Sequence, residues 1–286
     1  MRCLFCKQDS FDSNSVEHII PESLGNTTAI LPKGMVCDKC NNYFARKVEK
    51  PFLETSAIKA LRFREAIPSK KGVVPYLNGV LSDGSQVKVI NPFPGLPLFG
   101  QSSNPIVAIE TEHSNITKLL QKGTIITPAF VDEMIPKNTI LLSRFIAKIA
   151  LESLALRFSE IDGGVDYLID NSDFDPIRDY ARRGSKKEWS CNIRRIYEID
   201  KLWQDNTGEP YQTMHESDFL LIPVDENTDM LHDYPVIAYP FFVFALFGLE
   251  FAICMSDPAL EGLDIYEGWL QKHGNISPLY YGKNEN

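Results

Sequence analysis

The spacing of apolar residues indicates a small N-terminal unit followed by a longer region with more extended patterns. Within residues 1–50 the apolar pieces are short, at residues 16–20 and 29–36, and turn-forming residues separate them. This arrangement is typical of two strands joined by a loop. Residues 39–48 contain no Gly or Pro, and Asp38 stands before them as the predicted N-cap of a helix. The pattern therefore predicts a ββα unit.

A second helix and a linker are predicted after this unit. Pro51 suits the first turn of a helix that reaches about Ala66. Residues 68–72 are rich in Pro, Ser, Lys and Gly, which is typical of a linker. We therefore divide the chain into a domain of residues 1–71 and a domain of residues 72–286.

The larger domain mixes strand-like and helix-like patterns. Strands are predicted at residues 73–90 as a hairpin turning at 82–85, and at 106–110, 189–199, 219–224 and 236–255. Helices are predicted at residues 139–159, 176–183 and 260–273. The helix at 139–159 is apolar around so much of its circumference that we expect it to be central. The fold class is therefore α+β, with a small ββα unit ahead of a larger mixed domain.

Composition and charge narrow the class of protein. The chain has 286 residues, of which 44% are hydrophobic and 23% charged, so a disordered or fibrous protein is excluded. The net charge is −9, but it is unevenly distributed. Residues 1–71 carry 12 basic against 8 acidic side chains, or +4, and residues 72–286 carry 17 against 30, or −13. A small N-terminal domain of net positive charge is therefore joined to a larger domain of net negative charge.

The N-terminus and the apolar runs predict a cytoplasmic protein that does not enter a membrane. No apolar run near Met1 is long enough for a secretory signal. The most apolar stretch, residues 234–249, is interrupted by Pro and Gly and is too short for a membrane helix, so we interpret it as buried strands. In a reducing compartment, the 6 cysteines are expected to bind metal or to pack in a core.

Four cysteines form two closely spaced pairs. They are Cys3, Cys6, Cys37 and Cys40. Each pair can present two thiolates to one tetrahedral ion, so we predict a structural zinc with all four positions filled. A disulfide and buried free thiols are the alternatives. Cys191 and Cys254 have no partner at ligand spacing and are predicted to be core residues.

The residues between and after the cysteine pairs resemble a known family. The segment Glu17-His18-Ile19-Ile20-Pro21-Glu22-Ser23-Leu24-Gly25 lies between the pairs, and Asn41-Asn42 follows the second pair. With the cysteines, these residues resemble the zinc-containing branch of the HNH endonucleases, whose active site is a ββα-metal fold. The resemblance covers roughly residues 1–50.

This resemblance implies a metal-dependent hydrolysis of phosphodiester bonds in nucleic acid, most simply DNA. By resemblance, His18 is the general base that deprotonates water, and Glu17 and Asn41 hold one catalytic Mg²⁺ or Mn²⁺ ion. Many members have an asparagine three or four residues before the third cysteine to orient the histidine, but this chain has Lys33 and Gly34 there. Asn26 or a backbone carbonyl is the candidate for that role.

Basic residues suggest where nucleic acid would bind. Arg46 and Lys47 follow the second cysteine pair and are predicted to contact phosphates. A second basic cluster consists of Arg178, Arg182, Arg183, Lys186, Lys187, Arg194 and Arg195, next to Trp189. It either binds a nucleic-acid strand with Trp189 as a stacking surface, or is a solvated basic surface.

Two other functions stay open on the sequence alone. One is a non-catalytic zinc module that binds nucleic acid or protein. The other is a nuclease that an activating ligand switches on through residues 72–286. The resemblance also suggests a role in restriction or defence, and a homodimer would be one way to cut both strands.

Overall fold

The computed structural model describes residues 1–98, 107–122, 125–126, 136–184, 189–205, 207–223, 238–256 and 261–280. They group into two compact units, both discontinuous in sequence. The first unit comprises Met1–Ile20, Thr28–Phe52 and Ile135–Asn286, and the second comprises Pro21–Thr27 and Leu53–Met134. The predicted α+β class is confirmed, with a small cysteine-rich N-terminal region and a larger body of sheets and helices. The division at residue 71 stays a prediction.

The first unit begins with the strand and helix segments of the predicted ββα unit. The two predicted strands pair antiparallel through a single bridge between His18 and Ile30. Hydrogen bonds from Ile19 N to Ala29 O (3.1 Å) and from Leu31 N to Glu17 O (2.9 Å) flank that bridge. The helical run that follows consists of α1 (Asp38–Phe44), a π-helical stretch (Ala45–Glu49) and α2 (Lys50–Leu53).

The structure corrects two details of the predicted helices. The N-cap is Cys37, whose Sγ accepts a hydrogen bond from Cys40 N, whereas Asp38 accepts from the backbone of Asn14 and Ser15. Pro51 continues the first helical run, and the next helix, α3 (Ser56–Arg64), begins later than predicted. The wider π-helical turn leaves room for the proline ring, which would otherwise clash with a carbonyl one turn earlier.

The remainder of the first unit packs helices on an antiparallel sheet. Its elements are α5 (Ile140–Phe158), α6 (Gly164–Asp170), α7 (Asp175–Arg183), β5 (Cys191–Arg195), β6 (Trp203–Gln204), β7 (Pro210–Tyr211), β8 (His215–Pro223), β9 (Ala238–Leu246), β10 (Leu249–Cys254) and α8 (Glu261–Lys272). The sheet order is β5-β10-β9-β8, and β6 pairs with β7 separately. The predicted helix at 139–159 is confirmed as α5, and Thr139 caps it by accepting from Leu142 N at 3.2 Å.

The apolar run at residues 234–249 contributes buried strands, as predicted. Its described part forms β9 and the start of β10, and every residue from Phe241 to Leu246 is buried. The chain reverses at Phe247 and Gly248, both at positive φ. Cys191 and Cys254 are buried core residues, as predicted. Strand β8 starts at His215, earlier than predicted, because its whole length pairs with β9.

The second unit is built on a smaller antiparallel sheet. Its strands are β1 (Leu77–Leu81), β2 (Gln86–Ile90), β3 (Ala108–Glu110) and β4 (Ile125–Ile126), in the order β3-β2-β1-β4, together with α3 and α4 (His113–Lys122). The predicted hairpin at 73–90 is confirmed, and its turn is closed by Leu81 N donating to Ser85 O at 2.9 Å. Phe63, Leu77, Val89 and Leu98 form its core. Ile106, at the start of a predicted strand, lies outside the described residues.

Hydropathy gives no membrane-spanning segment in the described part of the chain. No helix there combines the length and apolar character needed to cross a bilayer.

Candidate functional site

The four paired cysteines converge on one point in the first unit. Their Sγ atoms all lie within 4.8 Å of one another, and those of Cys6 and Cys37 are 3.7 Å apart. A tetrahedral ion with Zn–S bonds of ~2.3 Å requires sulfur atoms roughly 3.8 Å apart. Soft thiolates at this spacing fit zinc, so the predicted structural zinc site is consistent with the geometry.

Backbone donors hold the sulfur atoms in place. Cys37 N donates to Cys3 Sγ at 3.3 Å, and Cys40 N donates to Cys37 Sγ at 3.4 Å. The thiol of Cys40 also donates to Cys3 and lowers the pKa of Cys3 to about 4, with help from the Cys37 N–H. The polypeptide therefore already favours a thiolate at one corner of the cluster. Because Cys37 is the N-cap of α1 and Cys40 lies within it, an ion there would anchor that helix to the N-terminal segment.

Glu17 lies in a buried charge cluster that also contains Glu49, Lys148 and Glu152. Lys148 Nζ contacts Glu17 Oε1 at 2.6 Å, Glu49 Oε1 at 2.8 Å and Glu152 Oε2 at 2.8 Å. Lys148 and Glu152 are fully buried, and Glu17 is 6% exposed. Three separate segments meet here, namely the first predicted strand, the π-helical stretch and α5.

Burial and charge oppose each other within this cluster. Burial raises the pKa of Glu17, and the nearby Lys148 ammonium only partly offsets that effect. Burial likewise raises the pKa of Glu152 well above its usual range. For Lys148, burial alone would lower the pKa, but the attraction of Glu152, Glu17 and Glu49 raises it. The cluster thus contains three carboxyl groups and a single ammonium group.

Asn41 is hydrogen-bonded to the chain segment that carries Glu17. Its Nδ2 atom donates to the carbonyl of Val16, the residue before Glu17, at 3.3 Å. This contact uses the amide nitrogen and leaves the amide oxygen for another partner. A carboxylate from Glu17 and an amide oxygen from Asn41 are hard donors of the kind that Mg²⁺ and Mn²⁺ prefer. The chemistry of these residues therefore fits the implied catalytic ion.

The other two predicted catalytic residues lie nearby in sequence but in different surroundings. His18 is half-buried and follows Glu17 on the strand that pairs with Ile30. Asn26 is fully buried and belongs to Pro21–Thr27, the short segment that groups with the second unit. The roles of both residues stay predictions.

Basic side chains from two parts of the first unit line one pocket, which we call the basic pocket. It has a volume of about 290 Å³, and its lining residues are Lys39, Cys40, Tyr43, Arg182 and Arg183. Arg144 of α5 ties these parts together, because its Nη2 donates to Tyr43 Oη and to Arg182 O, both at 2.9 Å. Arg46 and Lys47, the predicted phosphate contacts, are exposed on the π-helical stretch.

The rest of the second basic cluster has structural contacts. Trp189 is 2% exposed and its Nε1 donates to Cys254 O at 2.8 Å, so the alternative in which Trp189 is a stacking surface is wrong. Arg178 is also buried and donates to Leu168 O at 2.7 Å. Arg194 contacts Glu250 at 2.5 Å, within the sheet. Lys186 and Lys187 lie outside the described residues.

Sequence reasoning did not single out Lys148, Glu49 or Glu152. A signal was nevertheless present, because Lys148 and Glu152 stand one turn apart in the middle of a helix, and the other residues from Phe145 to Leu151 are apolar. Charged residues are almost never fully buried unless they are paired. A charged pair in such a helix therefore indicates an interior ionic partner, although the partner itself cannot be identified from spacing.

The sequence was compared with protein-family models, curated proteins and solved structures. Residues 3–56 match the family model described as HNH endonuclease. No curated protein and no solved structure matches the chain. The matched residues contain both cysteine pairs, Glu17, His18 and Asn41, and a domain of this family implies nuclease-type activity on nucleic acid. The family match and the four-cysteine cluster therefore support an HNH endonuclease domain at residues 3–56, and the cluster fits the zinc-containing branch of that family.

Proposed function

We propose that this protein is a metal-dependent endonuclease that hydrolyses phosphodiester bonds in DNA. The observation that carries the proposal is the hydrogen bond from Asn41 Nδ2 to the carbonyl of Val16, because it attaches the helix that carries one proposed ion ligand to the segment that carries the other, Glu17. The cysteine cluster supports the same arrangement, since it anchors the helix that carries Asn41. A carboxylate and an amide oxygen are the kinds of ligand that suit a hard divalent ion beside a phosphate.

Each residue has a distinct part in the proposed reaction. His18 accepts the proton of the attacking water. Glu17 and Asn41 hold a Mg²⁺ or Mn²⁺ ion, which when bound stabilises charge on the scissile phosphate and on the leaving oxygen. The zinc is structural, because four cysteines fill all of its coordination positions.

The proposal is tested by cleavage of supercoiled plasmid with purified, zinc-loaded protein. Mg²⁺ or Mn²⁺ is supplied in one set of reactions, and EDTA is added briefly in the other while zinc content is measured on the same samples. We expect nicked or linear plasmid only with the divalent ion. Full zinc content without any cutting of DNA or RNA would contradict the proposal and favour a zinc-dependent binding module.

We further propose that the basic pocket contacts the phosphate backbone. Its lining combines Lys39 from α1 with Arg182 and Arg183 from α7, so a strand lying there would meet several positive charges. Arg182→Ala/Arg183→Ala is expected to weaken DNA binding and to reduce the slope of log K against log salt by about 2. Binding is measured by fluorescence anisotropy from 50 to 200 mM salt.

The control for this variant is Arg157→Ala/Lys201→Ala. It removes the same charge from exposed positions outside the basic pocket. We expect its salt slope to stay closer to that of the parent protein. Equal slopes for the two double variants would assign the effect to net charge and would remove the pocket from the binding surface.

A further inference from the structure

The buried charge cluster connects the proposed nuclease centre to a helix far away in sequence. Lys148 lies in the middle of α5, about 130 residues after Glu17, and its Nζ is 2.6 Å from Glu17 Oε1. This is a contact within the first unit. The family match ends at residue 56, so Lys148 comes from outside the matched segment.

The position of the Lys148 ammonium is fixed independently of Glu17. Glu152, one turn further along α5, and Glu49 on the π-helical stretch each contact Nζ at 2.8 Å. With Glu17, these contacts engage the three donors that an ammonium has. Because Lys148 is fully buried, solvent does not compete for these donors. The ammonium is therefore a fixed point against which the Glu17 carboxylate is oriented.

The contact engages one of the two carboxylate oxygens of Glu17. Oε1 bonds to Lys148, which leaves Oε2 for another cation. Carboxylates that bind metal ions are commonly held by such hydrogen bonds, and loss of the holding group weakens metal binding.

We infer that Lys148 is a positioning residue of the nuclease centre, which holds Glu17 in the orientation needed to bind the divalent ion. This inference rests on the proposed function, since it takes Glu17 as a ligand of that ion. It makes α5 a part of the active centre. The segment matching the family would then lack one component of its own metal site.

The inference is tested by direct binding of Mn²⁺, which needs no turnover. Free Mn²⁺ is followed by electron paramagnetic resonance in a titration of the full-length, zinc-loaded protein. Lys148→Met is expected to raise the Kd for Mn²⁺ roughly 10- to 100-fold. Because three acidic groups would then lack their cation, Lys148→Met/Glu152→Met is titrated as well. The second variant replaces the α5 pair by apolar side chains, which buried sites often tolerate.

Two further variants make the result specific. Arg194→Met is the matched control, because it removes the cation from Glu250, another fully buried carboxylate, and is expected to leave the Kd unchanged. Glu17→Gln is expected to lose Mn²⁺ binding. An unchanged or lower Kd in a folded Lys148 variant, with binding lost in Glu17→Gln, would overturn the inference and leave the proposed function intact. Absence of Mn²⁺ binding in the parent protein would overturn both.

Discussion

Replacing His18 with alanine is expected to slow DNA cleavage by roughly 100- to 10,000-fold, the usual contribution of a general base. The protein should keep its zinc and its fold, because His18 contributes no ligand to the cysteine cluster. The measurement is the single-turnover rate of plasmid nicking at saturating Mg²⁺. Added imidazole should restore part of the rate in His18→Ala, because it can take the water proton in place of the missing ring.

The control for this prediction is His273→Ala. His273 lies just after α8, where its ring stacks on Trp269, so this variant removes an imidazole without touching the cysteine-rich segment. We expect its nicking rate to match that of the parent protein. A His18→Ala protein that is folded, zinc-loaded and as fast as the parent would remove His18 from the mechanism.

Replacing one of the four clustered cysteines is expected to unfold the N-terminal segment. Structural zinc sites in small domains contribute about 10–16 kcal/mol of apparent binding free energy, so Cys40→Ser should lose both its zinc and the order of α1. Asn41 lies in α1 and its side chain donates to Val16 O, next to Glu17, so cleavage should be lost when α1 loses its order. The measurements are zinc content per chain and hydrogen exchange over residues 1–52.

Cys191→Ser is the matched control for the zinc prediction. Cys191 is buried and outside the cluster, and its Sγ donates to Asn192 O, a contact that a serine hydroxyl can keep. We expect this variant to retain zinc, with a loss of stability of about 1–3 kcal/mol at most. Full zinc content and slow exchange in Cys40→Ser would contradict the assignment of a four-cysteine zinc site.

The cysteine cluster and Lys148 support the same proposed ion site in different ways. The cysteines act on α1, which brings Asn41 to the strand, whereas Lys148 acts on Glu17 from α5. The proposed ligands of one ion are therefore held from two sides by different forces. Metal coordination provides one and a buried ion pair provides the other. Loss of either should weaken divalent-ion binding, but only loss of zinc should unfold α1.

Local pattern alone was enough to predict several features of this protein. Cysteine spacing predicted the four-cysteine cluster, because two cysteines three residues apart can reach one ion without help from the rest of the chain. Periodicity identified α5 and the β1–β2 hairpin, because local apolar spacing reports which face of an element is buried. The family resemblance also rested on short contiguous motifs, and its range of roughly residues 1–50 covers most of the segment that the family model matches, residues 3–56.

Tertiary structure alone decided which distant groups meet. Neither the strand of Glu17 nor the apolar pattern of α5 indicates that Lys148 contacts Glu17, because that pairing depends on how the chain folds back after about 130 residues. The same holds for Trp189. Its basic neighbours in the sequence made it a candidate for stacking on bases, but the folded chain buries it. Sequence determines which side chains carry charge, but burial and partners follow from packing, and these decide which charges act in the site.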